Sequence, residues 1–90
     1  MNTTDVFEKN DHFSYTDIPD GLAVNGAAGE EIHFLNPVAS AVFLLCDGAH
    51  DASAIAAILK EEFALAEPPI QDVLACLGEL AAETLIRKVS

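Results

Sequence analysis

The sequence predicts an α+β domain in which a small three-stranded antiparallel sheet is followed by three helices. Two patterns predict this class. Apolar and polar residues alternate between turn signals as far as residue 35, which is typical of half-buried strands. After residue 37, apolar residues recur at helical spacing instead. Asn36-Pro37 marks the boundary, because Asn is a favourable N-cap and Pro is tolerated at the first position of a helix.

The first strand is predicted after a polar amino-terminal stretch. Residues 1–10 are mostly polar and are expected to form a flexible arm before a domain that spans residues 11–90. In His12–Ile18, the aromatic residues Phe13 and Tyr15 alternate with polar neighbours, as in a strand with one buried face.

Turn signals separate the next two strands. Pro19-Asp20-Gly21 predicts a turn that leads into a short strand over Leu22–Val24. Asn25-Gly26 is a strong hairpin signal, and the third strand is predicted over Glu31–Leu35. Together the three strands form an antiparallel sheet.

Three helices follow the sheet. The first is predicted over Pro37–Cys46, with Asp47-Gly48 as its stop signal. The second begins near Asp51, a good N-cap, and the third begins after Pro68-Pro69 and runs to about Leu85. The apolar stripe of the second helix, which we assign to the core, comprises Ile55, Ile58, Leu59 and Phe63.

Composition restricts the classes of partner. Ninety residues form one domain, and fifteen acidic residues against four basic ones give a formal net charge of −11. Such a surface repels nucleic acids and anionic membranes, so we expect neutral or basic partners. No apolar run approaches the ~20 residues of a membrane helix, and residues 1–5 lack a secretion signal, so a cytoplasmic location is expected.

Nothing in the sequence predicts an independent enzyme. It contains no Gly-rich phosphate loop, no metal-ligand spacing and no nucleophile–base pair, and no cofactor is expected. The two cysteines, Cys46 and Cys76, lie in apolar helical runs and are interpreted as inert packed thiols. The histidines His12, His33 and His50 are scattered and predict no metal site.

A small sheet beside three short helices is the layout of a winged helix-turn-helix relative. DNA binding is nevertheless disfavoured, because a recognition helix needs Lys or Arg and the third helix has neither before Arg87.

An ordered set of short motifs extends across most of the sequence: Leu35-Asn36-Pro37, Cys46-Asp47-Gly48, Ile55, Ile58-Leu59, Asp72-Val73-Leu74, Leu77, Leu80 and Leu85-Ile86. Through these residues the chain resembles, over residues 12–88, the PqqD family of small peptide-recognition proteins, known as RiPP recognition elements. One departure is that Glu83-Thr84 precedes Leu85-Ile86, where family members commonly have Gly.

The resemblance implies a chaperone that binds the leader of a ribosomally made precursor peptide and presents it to a modifying enzyme, expected to be of the radical S-adenosylmethionine type. The leader would add as a strand to the third strand and lie in a groove beside the third helix. The peptide-binding residues carried over are Glu31, Ile32, His33, Phe34, Leu35, Asp72, Cys76, Glu79 and Glu83.

Simpler interpretations of these residues stay open. Side chains alternate along a strand, and we assign the face with Ile32 and Phe34 to the core. A bound peptide would then use the backbone of this strand. Asp72 is favourable in the first turn of a helix through the helix dipole alone. Glu79 and Glu83 can be a solvated pair on one helix face.

An acidic acyl or peptidyl carrier protein is the alternative. Such a protein is also small, acidic and helix-rich, and it carries a phosphopantetheine arm on a serine at the start of a helix. The nearest candidate is Ser53, but Asp51 lies one residue too early for the usual motif. The strand-rich first third also disagrees with this class.

Overall fold

The structure, a computed structural model, describes residues 2–10, 13–25 and 32–89. Within these ranges the elements are β1 (Val6–Lys9), β2 (Ser14–Ile18), β3 (Gly21–Asn25), β4 (Ile32–Leu35), α1 (Pro37–Leu45), β5 (Asp47–Asp51), α2 (Ala52–Glu62), α3 (Ile70–Ala82) and β6 (Ile86–Lys88). The predicted α+β class, the three-stranded antiparallel sheet and the three helices are confirmed. The order is not strictly sheet then helices. Strand β1 precedes the predicted sheet, β5 lies between α1 and α2, and β6 follows α3.

The predicted sheet is the antiparallel meander β2-β3-β4. Leu22 lies opposite Leu35, and Val24 lies opposite His33. Gly21 begins β3 with a φ of 144°, and a Cβ there would lie 1.9 Å from the Leu35 carbonyl oxygen, so this turn requires glycine. The predicted hairpin at Asn25-Gly26 lies at the edge of, and partly outside, the described residues.

A second three-stranded sheet, in the order β5-β1-β6, was not predicted. Residues 6–9, assigned from the sequence to a flexible arm, form its central strand, and Phe7 is 4% exposed. The arm assignment was therefore wrong for these residues. A single Val6-Phe7 pair is too short to show a strand period; β1 is instead fixed by hydrogen-bonding partners from distant parts of the chain.

Ion pairs connect the strands of the second sheet to each other, and a lysine at the end of α1 connects this sheet to the helices. Arg87 on β6 pairs with Glu8 on β1, and Lys88 Nζ lies 3.4 Å from Asp5 Oδ1. The Lys9 ammonium donates to the carbonyls of Leu44 and Cys46 at 3.0 and 3.2 Å. These carbonyls lie at the end of α1, where a cation offsets the negative pole of the helix.

Both predicted side-chain caps are present. Asn36 Oδ1 accepts the Ala39 amide at 2.8 Å at the start of α1, and Asp51 Oδ1 accepts the Ala54 amide at 2.7 Å at the start of α2. The third helix ends at Ala82, earlier than predicted, because the chain turns there into β6.

The core lies between the helices and the inner face of the meander. Its largest fully buried side chains are Phe43, Leu22, Ile55, Leu59, Leu77, Leu85, Val24, Val42, Val73 and Cys46. Phe63 was assigned to the core from its spacing but is 38% exposed, since it caps the end of α2 rather than lying within the helix. Among the described helices, none has the length and apolar character to cross a membrane.

Candidate functional site

Strand β4 forms an open edge of the meander. In the part of the chain that the structure describes, it pairs only with β3. Its four residues extend about 13 Å. An antiparallel partner uses the backbone groups of alternate residues only, so the remaining N–H and C=O groups of β4 face away from β3. These groups provide a template on which another strand can add.

A groove of about 560 Å³ lies between β4 and the second half of α3. All four residues of β4 line it, and α3 contributes Cys76, Glu79, Leu80 and, just past its end, Glu83. Ala39 of α1 also contributes, together with Ala82 and Leu85. The edge strand and the groove are therefore contiguous, so an added strand would contact α3 as well as β4.

The predicted site residues fall into three groups. Cys76, Glu79 and Glu83 line the groove with the residues of β4. Asp72 is exposed in the first turn of α3 and is not among the groove-lining residues. This position is compatible with the simpler interpretation, in which Asp72 interacts favourably with the helix dipole. Glu31 lies outside the described residues.

The two faces of β4 are reversed from the prediction. Ile32 and Phe34, assigned to the core, are 54% and 72% exposed. His33 and Leu35 are half-buried, because they lie opposite Val24 and Leu22, which are fully buried. Alternation predicts which residues share a face, but only the pairing with β3 decides which face meets the core.

His33 connects the edge strand to its surroundings on the inner side. Its Nδ1 lies 3.8 Å from Glu83 Oε2, and its ring contacts Phe13 edge-on with centroids 6.4 Å apart. The described residues contain no cluster of His, Cys, Asp and Glu that could hold a metal ion. The observed contacts of His33 are thus the ring packing on Phe13 and the proximity to the Glu83 carboxylate.

Burial disfavours the thiolate form of both cysteines. Burial raises the pKa of the Cys46 thiol to about 12 and that of Cys76 to about 11. Cys46 is buried against α1, where its Sγ lies 3.2 Å from the Val42 carbonyl oxygen. Cys76 is half-buried in the wall of the groove, so it supplies apolar surface there rather than a nucleophile.

Several groove residues were not predicted as site residues. Leu80 follows Cys76 by four residues on α3, so helical spacing from a predicted residue could have identified it. Ala39 and Leu85 gave no such signal. They reach the groove because α1 follows β4 directly and because α3 turns back after Ala82.

The fold and the groove define a small α+β domain with an open strand edge beside a helix, which is an arrangement suited to binding an extended peptide. The family model of PqqD, described as coenzyme PQQ synthesis protein D, matches residues 22–86. The chain belongs to the PqqD family. Comparisons with curated proteins and with solved structures found no match.

Membership supports a role as a peptide-binding partner in the biosynthesis of PQQ or of another ribosomally made peptide product. The family consists of non-catalytic accessory proteins. The matched range contains β4 and α3, the two elements between which the groove lies, and all of β3 except Gly21.

Proposed function

We propose that this protein is a non-catalytic chaperone that binds the leader of a ribosomally synthesised precursor peptide by strand addition to β4. It presents the bound precursor to a modifying enzyme of the radical S-adenosylmethionine type. The observation that carries the proposal is the open edge of β4 beside the groove along α3. Because ribosomes make the precursor, we place the encounter in the cytoplasm.

Backbone pairing alone gives modest affinity. Each added hydrogen bond contributes a net ~0.5–1.5 kcal/mol, and four or five of them roughly offset the cost of ordering a flexible peptide. Apolar leader side chains must supply the remainder, at about 1.5–3 kcal/mol for each fully buried one. Leu35, Ala39 and Cys76, which are only partly buried in the groove wall, offer the surface for such anchors.

Charge supports a basic leader. The chain carries a net charge of −11, and the groove wall includes Glu79 and Glu83. The Glu83 side chain is 59% exposed, so it remains available to a basic residue of a bound peptide. Affinity should therefore fall as salt concentration rises.

The same charge argues against DNA and anionic membranes as partners, although we propose that the fold is related to the winged helix-turn-helix. The family match favours peptide binding over the carrier-protein alternative. Ser53, the residue that the carrier hypothesis needs, is exposed near the start of α2. Intact mass would reveal a phosphopantetheine adduct on it.

Titration of isotope-labelled protein with synthetic leaders tests the proposal. The candidates are the leaders of short precursor peptides encoded beside this protein, and a scrambled leader of equal composition is the control. We expect saturable amide shifts in residues 32–35 and 76–83, and contacts between peptide and β4 protons. Saturable binding that shifts only the second sheet, or no binding by any leader, would overturn it.

A further inference from the structure

The outer face of β4 is unusually apolar for an open edge. Ile32 and Phe34 project there with 54% and 72% of their surface exposed. Edge strands are commonly protected by charged side chains or proline, yet Ile32–Leu35 contains neither. Two large apolar side chains on an open edge indicate a surface that a partner covers.

A second cleft adjoins this face. It has a volume of about 530 Å³, and its apolar lining comes from Ile18, Phe34, Leu35 and Pro37. No residue of α3 lines it. Phe34 and Leu35 line both this cleft and the groove, so the two depressions meet along β4.

From these observations we infer that the outer face of β4 is a second side-chain subsite for the same added strand. The inference rests on the proposed function. Side chains of an added strand alternate between two faces, so one set enters the groove beside α3. The other set lies on the outer face, against Phe34, Ile32 and the cleft. The leader should then carry aromatic or β-branched residues at two outward positions, i and i+2.

The charge of the chain favours this occupant over a second copy. Pairing two β4 edges would bring together two chains that each carry a net charge of −11, whereas a basic leader is attracted. A peptide that reads both faces also gains specificity that the groove alone cannot supply, because every second side chain would otherwise face solvent.

Selection from a displayed library of random decapeptides tests the inference. The baits are the wild-type protein, Phe34→Thr, and Leu44→Thr as a control. Leu44 is 41% exposed on α1 and lines neither cavity. We expect the wild type and Leu44→Thr to select peptides with apolar residues at alternate outward positions. Phe34→Thr should lose that enrichment about tenfold, whereas the enrichment for groove-facing residues should fall less, because Phe34 only borders the groove.

A selected peptide then gives the quantitative test. Replacing its outward apolar residue by Ser should weaken binding to the wild type about tenfold, but less than twofold to Phe34→Thr. Equal losses for both proteins would overturn the inference. So would a β4-paired dimer of the wild type that Phe34→Thr dissociates in sedimentation.

The amide shifts of β4 distinguish failure of the outer subsite from failure of the proposed function. If the selected peptides shift residues 32–35 but show no coupling to Phe34, the outer subsite is wrong and strand addition stands. If no selected peptide shifts those residues, both the subsite and the proposed function fail.

Discussion

His33 Nδ1 on the edge strand lies 3.8 Å from Glu83 Oε2 at the end of α3. The two residues are fifty positions apart in the sequence, and both line the groove between β4 and α3. Glu83 thus contacts the strand that would receive a peptide while most of its side chain remains exposed.

Reversing the charge of Glu83 should weaken the binding of a basic leader. For Glu83→Lys we expect about a tenfold loss of affinity at low salt, because an exposed attraction of roughly 0.2–1 kcal/mol becomes a repulsion of similar size. The loss should shrink at high salt. Fluorescence anisotropy with a labelled leader at several salt concentrations measures both effects.

Glu61→Lys on α2 is the control for this charge reversal, since it changes net charge equally and lies outside the groove. It should reduce affinity less than threefold. Equal losses for the two variants would mean that only net charge matters, and a salt-independent affinity would contradict the role given to Glu83.

Phe7 should contribute strongly to stability although it lies in the predicted arm. It is 4% exposed in the second sheet, and Phe7→Ala should lower the free energy of unfolding by about 3–5 kcal/mol. Phe34→Ala is a matched control, because Phe34 is 72% exposed and should change stability by less than ~0.5 kcal/mol. Urea denaturation measures both; a silent Phe7→Ala would contradict the packing of β1.

Thr84 occupies a position that favours glycine. Its φ is 61°, and it follows the C-cap Glu83. The Thr84 and Leu85 amides donate to the Ala81 and Leu80 carbonyls, each at 3.0 Å, which is the Schellman pattern of a helix end. Glycine adopts this conformation without steric cost, which is a physical reason to expect Gly, as the family resemblance does, before the final Leu-Ile pair.

Thr84→Gly should therefore stabilise the protein by about 1 kcal/mol, since a β-branched residue pays most for the left-handed conformation. Ala64→Gly tests the same geometry after α2, where φ is 51°, and should give a smaller gain. Thermal unfolding measures the two variants. A loss of stability in Thr84→Gly would contradict the assignment.

Asp5 should make stability depend on pH. The Asn2 amide, which donates to Asp5 Oδ2 at 2.9 Å, and then Lys88 hold the pKa of this carboxyl below its usual 3.8. A depressed pKa stabilises the folded state above the unfolded value and loses that effect as pH falls through the folded one. Asp5→Asn should thus be less stable than wild type at neutral pH and should converge with it in acid, as denaturation at several pH values would show.

Cys76 offers a label for groove occupancy. With a pKa of about 11 it should react slowly with iodoacetamide at pH 8, faster as pH rises, and faster than the more deeply buried Cys46. A bound leader should protect Cys76 and leave the rate at Cys46 unchanged. Mass spectrometry of digested protein separates the two sites, and unchanged labelling of Cys76 at saturating leader would place the peptide elsewhere.

Local signals explain which elements could be predicted. Asn36 and Asp51 bond to amides three residues away, so these caps are properties of short segments and were predicted correctly. Strand β1 has no comparable local signal. Its partners are β5 and β6, and the latter lies about eighty residues away, at the other end of the sequence.

The sequence alone determined the α+β class, the helix starts and the strongly acidic surface. It also determined that Ile32 and Phe34 lie on the same face of one strand. The tertiary structure decided that this face lies outward, that β1 is central to a second sheet, and that Glu83 meets His33 across a groove. Periodicity and capping depend on neighbours within one or two turns, whereas burial and the open edge of β4 depend on which distant segments pack and pair.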